Sequence, residues 1–93
     1  MATQEENLNG LRRWLREVLA DPAVLAVPGL ARWMRATARE VERDIREDRV
    51  TICSQSRVDT MKRYRREARE GRLVRVTGKH ESASFEFGER GTR

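Results

Sequence analysis

The chain has 93 residues, of which 38% are hydrophobic and 38% charged, with a formal net charge of +5. That length describes one domain with a thin core, and so charged a composition excludes a membrane-embedded protein. Cys53 is the only cysteine and His80 the only histidine. An intrachain disulfide and a Cys/His metal centre are thereby excluded, and a reducing, cytoplasmic setting is expected.

Gln4, Glu5, Glu6 and Asn7 precede the first apolar stripe, unlike the start of a signal peptide, and residues 1–7 are expected to be flexible. Leu8, Leu11, Leu15, Val18 and Leu19, with Trp14 beside them, fall at helical spacing and predict an amphipathic helix. Asp21-Pro22 ends it, because proline disfavours helical geometry in the residue before it. The run "AVLAV" at 23–27, before a second break at Pro28-Gly29, reads as one short buried helix or as an extended connector, the helix being preferred. The stretch from Val18 to Ala31 is too short and too broken to span a bilayer.

Leu30, Trp33, Met34, Thr37, Ala38, Val41 and Ile45 define one narrow apolar face and predict a helix over about residues 30 to 47. Glu42 and Arg46 form a favourable i,i+4 pair on its solvated side. Trp14 and Trp33 are assigned to the core. "RVTIC" at 49–53 is rich in β-branched residues and reads as a short strand or as an extended link, with Cys53 as a small core residue.

Ser56-Arg57-Val58-Asp59 has the S-x-x-D form of a capping box and predicts a helix from about Arg57, closed by Gly71. Val58, Met61, Tyr64 and Ala68 share its inner face; Asp59, Lys62, Arg63, Arg66 and Glu70 lie opposite. From Leu73 the period changes to two, with Val74 and Val76 set to meet Phe85 and Phe87 across a turn at 78–82, a β-hairpin. The domain is expected to span 8–88, with a mobile tail at 89–93.

The basic excess is localised. Residues 57–76 carry Arg57, Lys62, Arg63, Arg65, Arg66, Arg69, Arg72 and Arg75 against Asp59, Glu67 and Glu70, a difference equal to the whole net charge of +5. A concentrated basic surface is the footprint of a phosphate-backbone binder.

The order of helices, capped basic helix and hairpin resembles the winged helix-turn-helix superfamily, most specifically over residues 54–87. The fold class expected is therefore mainly α with a C-terminal β-hairpin, winged-helix-like and single-domain. "EDRVTICSQS" is longer than the superfamily's usual turn before the recognition helix and has no glycine at its bend. The resemblance implies a non-enzymatic regulator or accessory factor that docks the basic helix in the major groove of duplex DNA.

Candidate contacts are then Gln55, Ser56, Arg57, Asp59, Thr60, Lys62 and Arg63 in the early turns, with Arg63 suited to guanine and Gln55 to adenine. Ser56 is better placed to cap than to read. Arg66, Arg69 and Arg75 would neutralise phosphates, and Lys79 and His80 would form the wing tip. A homodimer is expected, and no cofactor, metal or membrane partner. Nothing in their spacing recommends Cys53 and His80 as a nucleophile-base pair. The rival reading is a protein-interaction module, an inhibitor or adaptor that presents the basic helix to an acidic protein. RNA binding through the same face is a third; the lack of paired aromatics for base stacking counts against it.

Overall fold

The computed structural model describes residues 3–79 and 82–88. Four helices, α1 (Gln4–Leu19), α2 (Pro22–Leu25), α3 (Leu30–Arg46) and α4 (Ile52–Arg69), precede an antiparallel hairpin of β1 (Leu73–Thr77) and β2 (Ser84–Phe87). The chain is mainly helical with a C-terminal hairpin, the coarse class that the patterning indicates. Among the described residues no helix is long and apolar enough to cross a membrane.

The apolar stripe of α3 is the centre of the core. Leu30, Met34, Thr37, Ala38, Val41 and Ile45 are buried, and Val18, Val24 and Met61 close over them. Full burial of a side chain of this size contributes about 1.5–3 kcal/mol. Trp14 and Trp33 are half-buried at the edge of this core, not at its middle.

Helix α1 runs antiparallel to α3. Gln4 Nε2 donates to the carbonyls of Ile45 at 2.6 Å and Arg46 at 2.8 Å, in the last turn of α3, where the regular i+4 donors have run out. Thr3 and Glu6 form a capping box, so α1 begins at Gln4, a turn before its apolar stripe, and residues 4–7 are helical. Asp21 then caps α2, with Pro22 in the first helical position, where its missing N–H costs nothing.

Helix α4 starts at Ile52, not near Arg57. Thr51 is the N-cap, and its hydroxyl and that of Ser54 form a reciprocal box with each other's backbone. Ser54, 2% exposed, also donates to Asp44 on α3 at 2.6 Å. This cap and tertiary anchor override the β propensity of "VTIC", so there is no strand at 49–53. Ser56 lies within the helix, where its carbonyl accepts from Thr60 Oγ1 at 2.8 Å, and caps nothing. Cys53 is exposed on the first turn, not part of the core.

The connection from α3 to α4 is correspondingly short, residues 47–51. Asp48 bends it at φ 54°, while Asp48 N–H and Arg49 N–H return to the carbonyls of Ile45 and Asp44. At the other end of α4, Gly71 (φ 74°) closes the helix as its composition indicates.

The hairpin alternation differs from the expected one. Leu73 pairs with Phe87 and Arg75 with Glu86, so β1 holds one extra residue, Val74, in a bulge. The bulge turns Val74 to solvent, and the buried pair is Leu73 and Val76. Phe85 still reaches inward, 5.0 Å from Trp33 and stacked on Tyr64 at 4.0 Å. Such pairs contribute about 0.5–1.5 kcal/mol each beyond burial, and they tie α3, α4 and β2 together.

Candidate nucleic-acid interface

Counting charges along the sequence places the basic excess in 57–76, but most of those side chains are already engaged. Arg57 is half-buried and lies 3.5 Å from Asp44. Arg65, its side chain 15% exposed, donates from Nε to Asp21 Oδ2 at 2.9 Å, and Arg69 does the same at 2.9 Å. The hydrogen bond from Arg65, more than any other influence, holds the Asp21 carboxyl below the usual aspartate range. Arg72 bonds Glu67 at 2.6 Å and also reaches Glu70. That bond from Arg72 lowers the Glu67 carboxyl, and the bond to Glu67 raises the Arg72 guanidinium. Arg75 faces Glu86 across the hairpin at 3.4 Å.

Lys62, Arg63 and Arg66 differ. All three are exposed, and among the described residues none lies within ion-pair distance of a carboxylate, although the charges of Arg63 and Arg66 help to lower the Glu67 carboxyl. Their spacing sets them on the outer face of α4, in line with Gln55 and Asp59, which are also exposed. Because α4 begins at Ile52, these cations occupy its middle turns, not the N-terminal turns. The guanidinium of Arg63 lies 5.7 Å from the Tyr64 ring centroid, a cation–π distance that restrains the side chain without neutralising it.

The sequence-derived set therefore separates. Gln55, Asp59, Lys62, Arg63 and Arg66 come together on one exposed face. Ser56 is exposed beside them but serves Thr60, which is itself half-buried. Arg57, Arg69 and Arg75 are tied to carboxylates. Lys79 is exposed at the hairpin turn, next to Arg32 and Trp33 and away from this face. His80 lies outside the described residues, as does the tail at 89–93.

One contributor escaped the sequence reading. Trp14 of α1 lines a cleft of about 310 Å³ with Lys62, Arg65, Arg66 and Arg69 of α4. Its indole thus borders the cation face at the same time as it packs on the core. The signal was local: Trp14 stands between Arg12, Arg13 and Arg16, an unusual setting for a purely internal residue. Phosphates could be held here by guanidinium and ammonium groups, with a flat aromatic at the edge. Among the described residues no group of His, Cys, Asp and Glu is arranged to hold a metal ion.

Comparison of the chain with protein-family models, with curated proteins and with solved structures gives no match, so the reading of this face rests on its own geometry and charge.

Proposed function

We propose that the protein is a small non-enzymatic DNA-binding factor, winged-helix-like in its use of elements. Helix α4 would meet the major groove and the hairpin would lie beside it on the backbone. The observation that carries this reading is the sorting of charge on α4: Lys62, Arg63 and Arg66 stay exposed on one face with no direct ion pair among the described residues, while Arg57, Arg65 and Arg69 are bonded to carboxylates. Two features favour the superfamily resemblance. The approach to α4 shortens to residues 47–51 with its bend at Asp48. The connector before α3, where the superfamily's order places a strand, supplies one backbone bond to β1, from Val76 N–H to the Pro28 carbonyl.

Fluorescence anisotropy with a random-sequence duplex at two salt concentrations tests the assignment. Binding should weaken steeply with salt, and the combined Lys62→Ala, Arg63→Ala and Arg66→Ala variant should flatten the log–log salt slope by about 3. Unchanged affinity in that variant sinks the assignment. A second reading, a protein-interaction module, is favoured by Val50 (54% exposed) and Ile52 (87% exposed) at the start of α4. Val50 stands at an apolar groove bordered by Trp14, Val41 and Val58. No duplex binding at low salt would select it.

A further inference from the structure

Charge is sorted along α3 as well. Its acidic residues lie in the C-terminal half, and each is bonded: Glu40 to Arg43, Glu42 to Arg12 and Arg46, and Asp44 to Arg57. The N-terminal half carries Arg32, Arg35 and Arg39, all exposed and without an acidic partner among the described residues. Positions i, i+3 and i+7 share one stripe, about 10 Å long at the helical rise. Stability does not account for this placement. No acidic residue occupies the first turn of α3, and a cation there, as at Arg32, opposes the helix dipole by about 0.3–1 kcal/mol. Lys79 of the hairpin turn shares a shallow cleft with Arg32 and extends the stripe.

This stripe is separate from the cation face of α4. Arg35 and Arg39 border a groove between α3 and α1, beside Leu11 and Leu15. Helix α4 meets α3 on another side, through Trp33 against Tyr64 and Asp44 against Ser54. Residues two apart on a helix, such as Trp33 and Arg35, project about 160° from each other. A duplex lying on α4 would therefore leave the α3 stripe open.

We propose that Arg32, Arg35 and Arg39 form a second phosphate-binding face, so that one molecule holds two duplex segments, one on α4 and one on α3. The proposal rests on the duplex-binding reading of α4. Guanidinium groups bind phosphate oxygens in a two-pronged geometry, and three such contacts give a log–log salt slope of about −2.7.

A bead-capture experiment tests it. The protein is loaded on an immobilised random-sequence duplex, and capture of a second, fluorescent duplex is read. Wild type is compared with an α3 variant (Arg32→Ala, Arg35→Ala, Arg39→Ala) and an α4 variant (Lys62→Ala, Arg63→Ala, Arg66→Ala). All six positions are exposed, so matching thermal melts by circular dichroism will verify the fold of both variants.

Wild type should capture the second duplex. The α3 variant should stay on the bead and capture none. The α4 variant should bind the bead through α3 alone, with a slope near −2.7, and capture none. Capture by the α3 variant equal to wild type overturns the proposal while leaving the α4 reading intact. So does an α4 variant that no longer binds at low salt, which would leave the stripe to an acidic protein partner. Wild type that binds the bead duplex but captures no second one overturns it as well. Full binding by the α4 variant, with binding lost in the α3 variant, overturns the α4 reading and the two-duplex arrangement together.

Discussion

Val76 donates its backbone N–H to the carbonyl of Pro28 at 2.9 Å, fixing β1 to the chain at the entry to α3. Gly29 makes this approach possible. Its φ is +84°, and a β-carbon there would fall 1.9 Å from the Val76 carbonyl oxygen. Gly29→Ala combines a left-handed backbone penalty with a collision against backbone, and should cost more than about 3 kcal/mol. Chemical denaturation gives the loss. Hydrogen exchange at the Val76 amide should show the hairpin released from α3 before the helices open.

Asp21 joins three elements, capping α2 and accepting from Arg65 and Arg69 of α4. Asp21→Ala leaves the largely buried Arg65 without its closest counter-charge and should destabilise by about 3 kcal/mol. The effect depends on pH with a definite sign. The folded-state pKa lies below the ordinary 3.8, so the contribution is complete above that value and is lost as pH falls through the folded value. Denaturation midpoints for wild type and Asp21→Asn should therefore converge below about pH 3.8. A constant gap throughout that acid range would contradict the ion-pair account.

Asp48 holds a left-handed conformation at φ 54°, which disfavours any side chain by about 1–2 kcal/mol, somewhat less for aspartate. Asp48→Gly should raise stability by about 1 kcal/mol, provided the two returning hydrogen bonds are kept. For a domain of this size that is a melting shift of about 4–8 °C.

Arg57 and Arg63 are both candidates for base contact by sequence, and the structure gives them opposite surroundings, the one half-buried against Asp44 and the other exposed. Arg57→Ala should lower stability, because it leaves Asp44 less neutralised, and should leave duplex affinity nearly unchanged. Arg63→Ala should do the reverse, keeping the melt while weakening binding by about 1–3 kcal/mol. Melting curves and anisotropy titrations on the same two proteins check the pair.

The exposed Cys53 should react with a thiol reagent in the native protein at a rate close to that of the unfolded chain. Cys53→Ser should change stability by less than about 0.5 kcal/mol. A thiol protected until global unfolding would instead place it inside.

The helices α1 and α3 were legible from their apolar stripes, and the breaks at Asp21-Pro22 and Pro28-Gly29 marked off α2 between them. The start of α4 was not. Val50, Thr51 and Ile52 favour β structure locally, and Ser56 with Asp59 imitates a capping box one turn too late. The deciding contact, Ser54 to Asp44, comes from another helix. The bulge at Val74 was hidden for a similar reason, since strand alternation carries no mark of an unpaired residue. For the site, residue type and approximate face were readable, but ion pairing was not. Asp21 is 44 residues from Arg65, a distance no charge count along the chain can see. The α3 stripe did leave a trace: from Pro22 through Arg39 the sequence carries three arginines and no acidic residue.

The bulge at Val74 has one more consequence. A two-stranded sheet has two open edges, each a template for a third strand from another molecule. On β1 the kink interrupts the row of backbone groups, and Val76 has already given its N–H to Pro28. On β2 only four residues are extended, Ser84–Phe87, with Glu86 among them. Edge-to-edge pairing with a second molecule is thus discouraged on both sides of the hairpin.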